Sequence, residues 1–259
     1  MNKKKIILSI LLLIALALAA FYYSVQARNK AVKNALAWIE SNDGYIEYST
    51  PEWISKWPQS MQTALKDVFG LKLKVKLYIT DTANGQLDLS PLGDLQKLEE
   101  LTLYHPLLLD LTPLKNLKNL THLHLANTEI TGLEPLANMP KLEHLTLTNV
   151  PVEDLKPLED IKSLKRLFLR QTMVRDLQPL QHLSKLERLN LTSTKVADLK
   201  PLSKLTELQY LYLGGTQVKD LSPLNSLSKL EILDISSSMV NEDEVKKFQS
   251  LYPKLFIKN

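Results

Sequence analysis

Three histidines lie at spacings that could bring them together on one surface. His122 and His124 flank Leu123, and His144 follows His122 by twenty-two residues. In an extended strand, residues two apart point to the same side, so His122 and His124 would share a face. Imidazoles are zinc ligands in hydrolytic enzymes, and Glu100 could complete the set. A metal-dependent hydrolase is therefore one hypothesis. No second shell of orienting partners is evident in the sequence, so we expect neither a bound metal nor a cofactor.

The same spacing of twenty-two residues runs through most of the chain. Residues 89–242 fill seven lines of twenty-two without an insertion, in the pattern L-x-P-L-x-x-L-x-x-L-x-x-L-x-L-x-x-T-x-V-x-D. The third position is always proline, and the fourth, tenth and thirteenth are always leucine. The lines begin at Leu89, Leu111, Leu133, Leu155, Leu177, Leu199 and Leu221.

This pattern resembles the leucine-rich repeat, in particular the 22-residue type of bacterial internalins, and the resemblance covers about six-tenths of the chain. It implies an α/β fold, a right-handed solenoid with a parallel concave sheet and a convex side of 3₁₀ or short helical turns. It also implies protein binding, although one scaffold serves unrelated binding tasks and the resemblance names no partner.

The residues support this fold on physical grounds. The stretch LTHLHLA alternates apolar and polar residues, which indicates a strand with one buried face. Leucines spaced by three suit a 3₁₀ turn. Stacked units bury these leucines at roughly 1.5–3 kcal/mol each, which one unit alone cannot do.

Two polar positions of the repeat are expected to be structural. The hydroxyl at the eighteenth position is expected to bond the backbone of the adjacent turn. It belongs to Thr128, Thr172, Thr194, Thr216 and Ser238. The carboxylate at the last position is expected to cap the turn that follows. It belongs to Asp110, Asp154, Asp176, Asp198 and Asp220.

An open stack needs a cap at each end. At the C-terminus we expect a helix capped by Asn241 and a last strand near Leu255–Ile257. At the N-terminus we expect helices over 28–40 and 60–70, a strand over 45–49, and a strand over 71–79 that opens the sheet. The tryptophans that would cover the first repeat are Trp38, Trp53 and Trp57. The expected parts are a membrane anchor or signal peptide (1–27), an N-terminal cap region (28–88), the repeats (89–242) and a C-terminal cap (243–259).

The N-terminal segment has a basic stub followed by an apolar run over 6–23 that only Ser9 interrupts. A membrane-spanning helix needs roughly 18 or more apolar residues. We therefore expect an uncleaved anchor that holds the repeat domain outside the cytoplasm. A cleaved signal peptide, with small residues at 17–19 or 25–27, would instead give a secreted or periplasmic protein.

Composition narrows the possible functions further. The absence of cysteine excludes disulfides, thiol nucleophiles and a lipid-modified cysteine. Three lysines of the stub account for most of the net charge of +4, and beyond them 29 basic residues face 28 acidic ones. A balance that even gives no reason to expect nucleic acid as a partner.

The outward side chains of the predicted sheet suggest a binding surface. Aromatic and arginine side chains dominate binding hot spots and are not needed to fold a sheet. Arg166, Phe168 and Arg170 alternate along one strand, so we expect all three on the same face. Arg188 would lie beside Arg166 and repel it, unless Glu187 and Glu143 relieve some of the repulsion. The predicted partner-binding residues are Arg166, Phe168, Arg170, Arg188, Tyr210, Tyr212, His122, His124 and His144.

Three classes of function remain open. The first is a non-catalytic module that binds a protein or peptide with an acidic patch. The second is the metal-dependent hydrolase, although the repeats show no Gly-rich loop, nucleophile elbow or H-E-x-x-H pattern. The third is a structural spacer without a dedicated ligand, which would have no use for outward arginines and aromatics. We favour the first.

Overall fold

The structure is a computed structural model and describes residues 30, 31, 33–41, 44–49, 72–78 and 87–259. The predicted anchor or signal segment, the helix expected over 60–70, Trp53 and Trp57 lie outside the described residues. Among the described residues, no helix is both long enough and apolar enough to cross a membrane.

The strands form one sheet whose order follows the chain. They are β1 Tyr45–Ser49, β2 Lys72–Tyr78, β3 Leu98–Tyr104, β4 His122–Ala126, β5 His144–Thr148, β6 Arg166–Phe168, β7 Arg188–Asn190, β8 Tyr210–Tyr212, β9 Ile232–Asp234 and β10 Phe256–Lys258. β1 is antiparallel to β2, and every later pair is parallel. The prediction that the strand over 71–79 opens the sheet is wrong, because β1 pairs with the edge that β2 would otherwise leave free.

The repeats stack in strict register from β3 to β9. Each residue pairs with the residue twenty-two positions further along, as in Leu101 with Leu123 and Leu123 with Leu145. Outward side chains therefore form columns that cross the sheet at about 4.8 Å per strand. One of these columns, the Glu100 column, consists of Glu100, His122, His144, Arg166, Arg188, Tyr210 and Ile232.

A 3₁₀ turn precedes each strand from β3 to β9 and begins next to the proline of each repeat. The turns are Ser90–Asp94, Thr112–Asn116, Glu134–Leu136, Lys156–Leu158, Gln178–Leu180, Lys200–Leu202 and Ser222–Leu224. The expected role of the aspartates is confirmed, since Asp110 Oδ1 accepts the Thr112 N–H at 2.7 Å and the equivalent bonds recur along the stack. Hydrogen bonds with the Thr112 side chain and with its backbone N–H lower the pKa of Asp110. Parallel strands joined by 3₁₀ turns confirm the predicted solenoid.

The core is a continuous column of leucines inside the stack. Leu167 and Leu189 are fully buried, as the repeat pattern predicts. The threonine hydroxyls do not bond as expected. Thr194 Oγ1 donates to the Leu191 carbonyl of its own turn at 2.7 Å, and Thr172 and Thr216 do likewise. The reason is distance along the chain, because the carbonyl three residues back is already within reach of the short side chain.

Each repeat strand from β4 to β9 is followed by a left-handed backbone turn, which most L-residues avoid. The residues with positive φ are Asn127, Asn149, Gln171, Ser193, Gly215 and Ser237. This turn reverses the chain out of the sheet. In the fourth repeat it places Arg170 beyond the end of β6, so the prediction that Arg170 alternates along the same strand as Arg166 and Phe168 is wrong.

Both ends of the stack are covered. The helix Glu242–Leu251 begins at Asn241, whose side chain accepts the Glu244 N–H at 2.9 Å, as expected. Its Phe248 is buried against the core, and β10 adds a parallel strand beyond β9. At the other end the helical residues 33–41 bury Ala35 and Ile39, and Trp38 packs against the core as predicted.

Candidate functional site

The outward histidines of β4 and β5 touch one another. His122 and His144 pair directly in the sheet, and their rings meet edge to face with centroids 4.0 Å apart. Thr121 donates its hydroxyl hydrogen to the Glu99 carbonyl at 2.9 Å, so its oxygen accepts from His122 Nδ1 at the same distance.

The environment of His144 disfavours its charged form. Burial, and after it the charges of the neighbouring His122 and Arg166, lower the pKa of His144 to about 4. His124 also has a lowered pKa because it is partly buried, and its Nε2 lies 3.3 Å from the Tyr104 hydroxyl. The histidines face outward as predicted, but they are half-buried rather than freely exposed.

A metal site is not assembled by these side chains. In the part of the chain that the structure describes, no three His, Asp or Glu side chains converge as ligands would. His124 turns to Tyr104, while Glu100 lies 3.9 Å from His122 Nδ1. The pair at His122 and His144 therefore has no third donor placed with it among the described residues.

A hollow of about 210 Å³ lies on the concave side across β3 to β6. Its walls are outward side chains and its floor is formed by buried leucines of the strands. It is lined by Glu100, Leu101, Thr102, His122, Leu123, His124, His144, Thr146, Arg166 and Phe168. Five of the nine predicted site residues thus meet in one place, which we call the concave hollow.

Arg166 is the least satisfied group in the concave hollow. Its Nε atom is buried and makes no hydrogen bond within the described part of the chain. Of the two carboxylates expected to relieve the repulsion between the arginines, Glu143 binds Lys165 instead at 2.8 Å. A buried donor without a partner costs about 1–3 kcal/mol.

Arg188 has a different environment although it pairs with Arg166 in the sheet. Its guanidinium carbon lies 4.2 Å from the centre of the Tyr210 ring, which gives it a cation–π partner. The Tyr210 hydroxyl donates to Glu231 at 2.9 Å. Nothing in the sequence periodicity shows that Arg188 turns toward Tyr210, since the register allows either neighbour.

The remaining predicted site residues lie outside the concave hollow. Tyr212 follows Tyr210 by two residues on β8 and pairs with Asn190 and Asp234. Arg170 is exposed in the turn after β6. His105, which the sequence places after the first repeat strand, is buried, and its Nδ1 accepts the Leu107 N–H at 3.1 Å. Its role as a core residue has no signal in the repeat pattern.

Comparisons with known proteins agree with the repeat. The family model described as leucine-rich repeats (two copies) matches residues 118–160 and 206–245. No curated protein matches the chain. Leucine-rich repeats are typical of protein–protein interaction modules, whose stacked units present an extended concave surface.

Several solved structures share the fold. An internalin (inlF) of Listeria monocytogenes is 24% identical, with a TM-score of 0.52 over 66% of this chain and 63% of its own. Internalin C2 of the same species is 35% identical, with a TM-score of 0.51 over 56% of this chain and 63% of its own. A leucine-rich-repeat protein of Leptospira interrogans is 23% identical, with a TM-score of 0.62 over 75% of this chain and 50% of its own. This chain thus spans less than two thirds of each of these proteins. It carries leucine-rich repeats and is structurally similar to internalins and other bacterial leucine-rich-repeat proteins.

Proposed function

We propose that the protein is a non-catalytic binding module that holds a protein or peptide on its concave face, outside the cytoplasm. The observation that carries the proposal is the buried Nε of Arg166, which has no hydrogen-bond partner among the described residues. It lies in a hollow that also presents Phe168 and three imidazoles. A ligand acceptor would remove the cost of that unpaired donor.

The chemistry of the face suggests an acidic partner. Arg166 and Arg188 add positive charge to the middle of the sheet, and Phe168, Tyr210 and Tyr212 add aromatic surface on the same side. An arginine beside an aromatic ring suits a carboxylate carried on an apolar stem. Binding that depends on exposed charges should weaken as salt is added.

The two other classes of function have less support. A small-molecule enzyme site is commonly 300–1,000 Å³ in volume, and the concave hollow is about 210 Å³. A structural spacer would be served equally well by threonine at the positions of Arg166 and Phe168, and threonine would leave no buried nitrogen unpaired. The hollow is instead suited to a side chain of a larger partner.

The location outside the cytoplasm rests on the apolar N-terminal run, which lies outside the described residues. Mass spectrometry of the protein isolated from cells tests the anchor. We expect an intact N-terminus in the membrane fraction. A mature N-terminus near Phe21 or Arg28 would mean cleavage and release instead.

The binding role is tested by capture from cross-linked cells with the full-length chain in mild detergent. The double variant Arg166→Glu, Arg188→Glu should lose the partner that the wild type retains. The matched control is Lys185→Glu, Lys204→Glu, which makes the same change in net charge at exposed positions outside the sheet. We expect the control to retain the partner and both variants to stay folded by circular dichroism. Capture that survives the first reversal would show that the ligand uses another surface.

A further inference from the structure

We propose that the concave hollow is a binding site for one side-chain carboxylate, from an aspartate or glutamate of the partner, received between Arg166 and the His122–His144 pair. The inference rests on the proposed function, since it takes the occupant to be part of a protein bound to this face. It places the main anchor at β4 to β6, on the N-terminal side of the two tyrosines that the sequence also suggested.

The volume of the hollow favours a single side chain. About 210 Å³ is below the range of sites for drug-sized ligands, yet it is open to the concave side. Leu101 and Leu123 are buried at its floor, and Phe168 forms one wall. The methylene groups of an acidic side chain would pack on this apolar surface while its charged end meets the polar wall.

The guanidinium of Arg166 supplies the charge complement. Its planar fork binds a carboxylate through two parallel N–H···O bonds, and Nε is one of the donors that such a pair can use. That atom is buried and has no hydrogen-bond partner in the described part of the chain, so the side chain has to turn for Nε to meet a carboxylate. Arg188, one strand away, is already stacked on Tyr210. Arg188 therefore has a partner for its charge, whereas Nε of Arg166 has none among the described residues.

The imidazoles supply a second, proton-dependent contact. His144 pairs directly with Arg166 in the sheet, and its ring touches that of His122. Burial is the main cause of the low pKa of His144, and the charges of His122 and Arg166 add to it. A carboxylate placed beside Arg166 would offset that positive charge and would raise the pKa of His144 from about 4. Binding at mildly acidic pH would then take up a proton.

Other charged groups around His144 set the strength of this effect. Glu143 favours protonation of His144, whereas Lys165, Arg166 and His122 oppose it. Glu143 and Lys165 neutralise each other through their ion pair, so burial and the charges of His122 and Arg166 hold the pKa of His144 down. The titratable and charged groups on the neighbouring strands and their entry segments are Glu100, His122, His124, Glu143, Lys165 and Arg166.

A small probe tests the site without the partner. The probe is N-acetylglutamate N-methylamide, and its control is the glutamine analogue, which has the same shape and no charge. The imidazole resonances of the ¹³C-histidine-labelled full-length chain are followed by NMR during titration. We expect the glutamate probe to shift His122 and His144 and to raise the titration midpoint of His144. Lowering the pH from about 7.5 to about 5.5 should tighten its binding about three- to tenfold.

Two variants and one salt locate the contact. Arg166→Gln should abolish the response, and Lys185→Gln, at an exposed position outside the sheet, should retain it. Sodium sulfate at matched ionic strength should produce no equivalent shift. The wild-type comparison of the two probes carries the test even where a variant is unstable.

The assignment is overturned by no shift at saturating glutamate probe, by equal shifts with the glutamine analogue, or by an undiminished response in a folded Arg166→Gln chain. An equal response to sulfate would also overturn it, because the hollow would then be an unselective anion site. The probe needs no partner protein. Loss of the proposed function in the capture experiment therefore leaves a positive probe result standing, and the reverse also holds.

Discussion

The guanidinium carbon of Arg188 lies 4.2 Å from the centre of the Tyr210 ring, and the hydroxyl of that ring donates to Glu231 at 2.9 Å. These three side chains form a chain of contacts across β7, β8 and the residue before β9. Glu231 raises the pKa of Tyr210 through the hydrogen bond and its charge, and Arg188 opposes that shift. The C-terminal part of the Glu100 column therefore satisfies its own charges, in contrast to Arg166.

Glu231 and Arg188 should shift the pKa of Tyr210 in opposite directions. Glu231→Gln removes the negative charge and should lower the pKa of the Tyr210 phenol. Arg188→Gln removes the opposing positive charge and should raise the same pKa. Titration of ¹³C-labelled tyrosine by NMR measures both. Shifts of the same sign in the two variants would mean that the contacts do not form in solution.

The register of the repeat predicts that truncating an inward leucine is costly and that truncating an outward residue is not. Leu167→Ala should lower the free energy of unfolding by about 2–5 kcal/mol, because it leaves a cavity in a close-packed stack. Thr146→Ala, on the outward side of β5, should change it little. Urea melts of the two variants decide the matter. Similar losses at both positions would show that the inward and outward faces are wrongly assigned.

Two threonine-to-valine substitutions at the eighteenth position of the repeat have different expected outcomes. Thr194 Oγ1 donates to the Leu191 carbonyl, and Thr194→Val should cost about 0.5–1.5 kcal/mol for that bond. Thr128 Oγ1 is buried without a partner in the described residues, and Thr128→Val should be neutral or stabilising. Val150 occupies the same column, so valine fits the space.

Thermal and urea unfolding of the two valine variants provide the measurement. A loss of stability in Thr128→Val as large as that in Thr194→Val would show that the Thr128 hydroxyl has a partner in solution.

The fold was predictable from the sequence because the same residue pattern recurs in every repeat. Leucine occupies the same position in all seven repeats, and this shows which face is buried. The register then places His122, His144 and Arg166 in one column. The capping role of Asp110 was predictable for the same reason, since its bond is made within two residues.

The details of the site were less predictable because an outward side chain can contact the strand on either side of it. Periodicity shows that Arg188 points outward, but not that it stacks on Tyr210 and leaves Arg166 alone. The position of Arg170 required the left-handed turn at Gln171. A signal for that turn exists, since Asn149 and Gly215 occupy the same column and both residue types tolerate positive φ.

The last prediction concerns acid stability and follows from His144. Its pKa is about 4 in the folded chain against an ordinary value of 6.5, so the unfolded chain binds the proton more tightly. The stability that depends on the neutral ring is fully present above about pH 6.5 and is lost as the pH falls toward 4. His144→Gln removes this dependence, so its melting temperature should fall less than that of the wild type over that interval. His182→Gln, at an exposed position outside the sheet, serves as the matched control and should follow the wild type. Parallel melting curves for His144→Gln and the wild type between pH 6.5 and 4 would show that burial and Arg166 do not hold this imidazole neutral, and would remove the basis for proton uptake on ligand binding.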